Sequence, residues 1–151
     1  MDADYLIGLF DYDSDVNQKL LDALRDTPEV GERAMSVFAH LLAAKQVWMA
    51  RLHGEEPSIS VWPSLDLDAC AALIEKNRAA YTTYLQGRSE EHLAANVQYQ
   101  NSKGVAFRNQ VRDILMHVLV HSGYHRGQIA QSVRQAGGEP VNTGYIFYRR
   151  A

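Results

Sequence analysis

The run His117-Val118-Leu119-Val120-His121-Ser122-Gly123-Tyr124-His125-Arg126-Gly127-Gln128 sets three histidines four residues apart. A four-residue step turns an α-helix by about 400°, which leaves successive histidines roughly 40° apart on one side and about one turn apart along the axis. Two imidazoles so placed can grip one ion. The run sits inside a longer pattern, with Val111, Ile114, Leu115, Val118, Ile129 and Val133 on one face. That spacing predicts a helix over about Asn109–Ala136, ended by Gly137-Gly138-Glu139-Pro140. On its wheel, His125 lies near the centre of the apolar face, His121 at the edge and His117 further toward solvent. His121 and His125 are the better ligand pair. For any one of them alone, a surface or hydrogen-bonded core histidine is the competing reading.

Upstream, helical spacing continues. Leu6, Leu9, Phe10, Val16, Leu20 and Leu24 predict a first helix over about Asp2–Asp26. Thr27-Pro28-Glu29 reads as an N-cap, a first-turn proline and a first-turn acid opening a second helix. Its stripe is Val30, Ala34, Val37, Leu41, Trp48 and Leu52, with Gly54 as a stop and Trp48 as core. Residues 55–65, with Pro57 and Pro63, form a linker. Cys70, Leu73, Ile74, Tyr81 and Tyr84 share the face of a third helix from Asp66 to Gly87. Between Leu93 and Phe107 the period changes, and Asn101-Ser102-Lys103-Gly104 predicts the turn of a short β-hairpin. The expected fold class is all-α: a four-helix bundle with a hairpin before the last helix, in one domain over residues 1–151. The tail Thr143–Arg150 carries Tyr145, Phe147 and Tyr148, which should pack back on the bundle.

Bulk properties narrow the function classes. A 151-residue chain with 46% hydrophobic residues can bury one core. Its net charge of −3 offers no general attraction for phosphate backbones, so nucleic acid is not an expected partner. Charged residues interrupt every apolar segment, so no membrane span is expected. The single cysteine, Cys70, and the lack of an apolar leader point to a cytoplasmic protein. Cys70 lies on the Leu73 and Ile74 face, where it should be buried and inert.

Two histidines rarely hold an ion tightly, and a catalytic site usually takes three protein ligands. His40 sits mid-helix in the second segment, whereas His53 is at a helix end and His92 lies near the hairpin. The wheel puts His40 on the flank of its stripe, which suits a surface histidine equally well.

The His117–Gln128 run strongly resembles the final-helix signature of the DinB/YfiT family of bacterial four-helix bundles, which is unrelated to the DNA polymerase of similar name. His125-Arg126-Gly127-Gln128 is its most specific element. Phe38-Ala39-His40 through Trp48 and Arg51-Leu52 is similar to the segment in which that family places its first metal histidine, and the hairpin Tyr99–Gly104 and Gly138-Glu139-Pro140 also match. The resemblance implies a metal triad of His40, His121 and His125, with His117 as a companion that does not bind. It also implies a homodimer, for which apolar residues near the hairpin and tail offer a surface. Where the family often has Thr-Asp-Tyr, this chain has Thr143-Gly144-Tyr145.

Asp13 and Asn17 lie on the apolar stripe of the first helix, where unpartnered burial is costly, so they are expected to line a polar pocket or to support the metal histidines. Arg126 and Gln128 are assigned to a helix or subunit interface. The expected cofactor is one divalent transition metal, with Zn or Ni foremost, since imidazole suits several such ions. Relatives in the wider superfamily are S-transferases, so the resemblance implies a metal-dependent transferase using a low-molecular-weight thiol. A metal-dependent hydrolase and a non-catalytic stress or ligand-binding protein with a structural metal are the alternatives.

Overall fold

The computed structural model describes residues 1–151. In chain order its elements are α1 (Ala3–Asp26), α2 (Glu32–Leu52), α3 (Leu67–Leu85), α4 (Glu90–Ala94), β1 (Asn96–Gln100), β2 (Ala106–Gln110), α5 (Val111–Gln135) and α6 (Tyr145–Arg150). Asp2 and Asp66 start α1 and α3 by accepting from the backbone N–H of Tyr5 and Ala69 at 2.9 and 2.8 Å, which satisfies donors that a helix start leaves free. The mostly α-helical fold, with an antiparallel hairpin before the last long helix, matches the sequence expectation.

Boundaries differ in three places. The second helix begins at Glu32, because Pro28–Val30 forms a separate 3-10 turn and Gly31, at φ +88°, breaks the path. Thr27 closes α1 through its backbone N–H and makes no side-chain cap. The hairpin runs on to Gln110, with Asn109 opposite Val97, so the last helix starts at Val111. Leu93 belongs to the one-turn α4, which the sequence reading omits, as it does the six-residue α6. Both are short enough to leave little periodicity.

α1 packs on α3 and α5, and α2 packs on α5 and α3, so the sequence neighbours α1 and α2 face each other across the bundle. The interior is divided along its length. Phe10, Met49, Tyr81, Leu115 and Val118 belong to one apolar cluster, and Leu20, Phe38, Leu41, Ile74 and Ile129 to the other. Between them lies a buried polar belt of Asp13, Asn17, Lys45, Asn77, Ser122 and Arg126. The order in which each helix visits the clusters gives its direction: α1 and α5 run one way, α2 and α3 the other. Joining the parallel α2 and α3 requires a long crossover, which is residues 53–66. That crossover brings Val61 and Trp62 onto His40.

Cys70 is fully buried, and burial with nearby Asp66 pushes its thiol up to about 11. Trp48, expected in the core, is only half-buried and packs edge-on against Tyr99 and His117. Its indole covers the rim because Lys45 and Met49 take the neighbouring inward positions. The tail returns to α1, where Tyr12 meets Tyr145 and Tyr148 edge-on and donates its hydroxyl to the Thr143 carbonyl. A Cβ at Gly144 would come 2.8 Å from the Phe147 ring, so an acid there would displace that ring. No helix is long and apolar enough to cross a membrane.

Candidate metal centre

α2 and α5 pack side by side in opposite directions, which brings His40 level with His121 and His125. The potential ligand atoms of these three residues all lie within 4.8 Å of one another. Nε2 of His121 is 3.3 Å from Nε2 of His40 and 3.2 Å from Nε2 of His125. Two nitrogens bound tetrahedrally to one Zn-sized ion stand about 3.3 Å apart, from bond lengths of about 2.0–2.1 Å. Both spacings to His121 are those of a ligand pair, and the third nitrogen stays within 4.8 Å.

Hydrogen bonding on the far side of the rings supports this. His40 Nδ1 donates to the Val61 carbonyl at 2.7 Å, and His125 Nδ1 donates to Gln128 Oε1 at 2.8 Å. Carbonyl oxygens only accept, so both rings carry their proton on Nδ1 and turn an Nε2 lone pair toward His121. His121 Nε2 has one proton at most to offer two acceptors. Hydrogen bonds among the three therefore leave lone pairs opposed, and a shared cation removes that conflict. The residues present fit a divalent metal.

Electrostatics act in the same direction. Burial, then the neighbouring His125, His40 and His117, push His121 down to about 4. His40 is lowered by burial and by His125 and Arg33, with the Val61 bond opposing. His40 and His121 are thereby held toward the neutral form, the state in which an imidazole ligates. The Trp62 indole lies flat on His40, with ring centroids 3.8 Å apart and planes at 8°. It screens one face of the ligand ring.

His117 stands outside this cluster: its ring is 5.7 Å from that of His121 and packs edge-on against Trp48. His92 bonds the Tyr84 hydroxyl at 2.9 Å at the other end of the bundle, and His53 packs against the same tyrosine.

Asp13 and Asn17 sit in the closed polar belt, 0% and 1% exposed. Lys45 and Arg126 both pair with the Asp13 carboxylate, and Arg126 also donates to Ser122 Oγ at 2.8 Å and Asn17 Oδ1 at 3.3 Å. Burial alone would raise the Asp13 carboxyl, but the two cations outweigh it and hold the pKa below the usual range. Because Ser122 and Arg126 follow His121 and His125 directly, this ion cluster fixes the part of α5 that carries the ligands. Arg126 thus bonds between helices, while Gln128 orients a ligand ring.

Sequence reasoning misses four supporting residues. Val61 and Trp62 lie in an aperiodic linker and gave no signal. Gln128 is expected at a helix or subunit interface and instead bonds the His125 ring. Lys45 leaves a signal that the sequence reading passes over, because a lysine one turn after Leu41 on the apolar stripe must find an anion.

The profile of the DinB family matches residues 13–151. The chain is also 24% identical to Protein DinB of Bacillus subtilis (strain 168), over 97% of its own length and 94% of that protein's. No solved structure matches. A family profile spanning α1 to the C-terminus, with the histidine signature inside it, establishes that this chain belongs to the DinB family.

Proposed function

We propose that this chain binds one divalent transition metal, Zn or Ni, through Nε2 of His40, His121 and His125, and that it is a metal-dependent transferase acting on a low-molecular-weight thiol. The observation that carries the reading is the convergence of three Nε2 atoms, two of them fixed as lone-pair donors by Val61 and Gln128. His40, His121 and His125 would hold the ion, which when bound would supply a Lewis acid able to acidify a thiol or water. The protein's own contribution is positional. Val61 and Gln128 set ring orientation, burial keeps His121 unprotonated, and Trp62 shields His40 from water.

Thiol chemistry is favoured over hydrolysis by what surrounds the ligands. No carboxylate joins the three histidines, and Asp13 is locked by two cations. A hydrolase that activates water commonly adds a protein base beside the metal. A thiol, being far more acidic than water, has less need of one.

The reading also includes a homodimer in a reducing compartment. Val105 and Phe107 at the hairpin and Ile146 and Phe147 in the tail are exposed, as the sequence reading expects, and Met116, Val120 and Tyr124 add a stripe on the outer side of α5 at 37%, 63% and 65% exposure. Cys70 is free and buried.

Cobalt substitution tests the thiol reading. Titration with a small thiol should add a sulfur-to-metal charge-transfer band and accompany transfer to an electrophile. Hydrolysis of an ester by the loaded protein, with no such band, would overturn it.

A further inference from the structure

Arg51 stands apart from the fold's paired arginines. Arg25, Arg78 and Arg126 each meet an aspartate, whereas Arg51 takes part in no ion pair. Its Nε is buried without a hydrogen-bond partner. The guanidinium carbon lies 4.5 Å from the Trp48 ring centroid and 5.5 Å from that of Tyr99, so the group is held by two aromatic rings. Burial lowers its pKa and only Tyr99 opposes, the mark of a cation without compensation.

Arg51 opens on a cavity of about 710 Å³ whose lining includes Glu56, Ser60, Val61, Trp62 and Asn101. Val61 and Trp62 are the residues that hold His40. At the other end, Trp48 joins Arg51 to His117. His117 precedes His121 by one turn, and helical side chains lean toward the N-terminus, so the guanidinium stands on the order of 10 Å from the histidine triad.

We propose that Arg51, held by Trp48 and Tyr99, is the anchor for the carboxylate of a small organic anion bound in this cavity. One planar guanidinium fork matches the two oxygens of one carboxylate. Arg51 is the only cation in the lining and Glu56 shares it, which disfavours a dianionic phosphate. An anion anchored here, long enough to span the gap, would extend a thiol or electrophile toward the histidines. That extension rests on the thiol reading above; the carboxylate subsite does not.

The test is run on the full-length chain without metal, with arginine labelled by nitrogen-15, following the Arg51 Nε–H resonance. Propionate should shift it saturably, while propionamide and inorganic phosphate should not. Arg51→Lys, which keeps charge but loses the fork, should weaken propionate binding about tenfold, read by the Trp48-side tyrosine and tryptophan ring resonances. Glu56→Gln should tighten it. Equal shifts with propionamide, no shift with propionate, or unchanged affinity in Arg51→Lys would each overturn the proposal. Because no metal is present, failure of the metal-thiol reading would leave these outcomes unaffected.

Discussion

The Val61 carbonyl accepts the Nδ1 proton of His40 at 2.7 Å, so a loop residue decides which nitrogen of a helical histidine faces His121. Gln128 does the same for His125 from within α5. Outer contacts of this kind typically change metal affinity 10–100-fold when removed. Gln128→Ala should therefore weaken metal binding by about tenfold or more in a chelator competition titration, with the fold retained by circular dichroism. Unchanged affinity would mean that the ring is oriented by packing alone.

The pH dependence has a definite sign. His121 titrates near 6.5 when unfolded and at about 4 when folded, so across that interval the unfolded chain binds the extra proton. The contribution of His121 to the stability of the metal-free protein should be complete above about pH 6.5 and fall as pH drops through the interval to about 4; below that, protonation of Asp13 should take stability lower still. Protons compete for the same nitrogens, so metal affinity should fall over the acidic range too. Urea denaturation at several pH values checks the first, and His121→Phe should flatten the curve.

The Asp13 cluster makes a separate prediction. Removing one member of a buried ion pair typically costs about 3–5 kcal/mol, because its partner is left charged and unpaired. Asp13→Ala, which strands both Lys45 and Arg126, should lower unfolding free energy by at least about 3 kcal/mol in urea titration. A loss below about 1 kcal/mol, the range of surface pairs, would mean that the cluster is hydrated.

The proposed homodimer depends on the outer stripe of α5. Val120→Glu should convert a two-chain species to one of 17.0 kDa in sedimentation experiments at micromolar concentration. A wild-type protein that sediments only as a single chain would remove the dimer from the account.

How much of this was legible in the sequence varied with the physics involved. The four long helices were, since Leu20, Phe38, Ile74 and Ile129 sit on stripes with the period of a helix. The His121 and His125 pair followed from the same period. His40 did not, because its flank position is set by where α5 lies, and only the family resemblance placed it beside the others. Val61 and Trp62 were invisible, being delivered by the path of a crossover that carries no repeat. Asp13 and Asn17 were recognisable as buried polar residues, but their partners lie 32 and 113 residues away for Asp13 and 109 for Asn17. Spacing along one helix says nothing about such partners.

Metal stoichiometry in single-histidine variants tests the central claim most directly. Elemental analysis of untagged protein should find close to one Zn or Ni per chain in the wild type and in His117→Ala, with stoichiometric binding lost in His40→Ala, His121→Ala and His125→Ala. Full occupancy retained in His40→Ala, or equal loss in His117→Ala, would contradict a centre built from His40, His121 and His125.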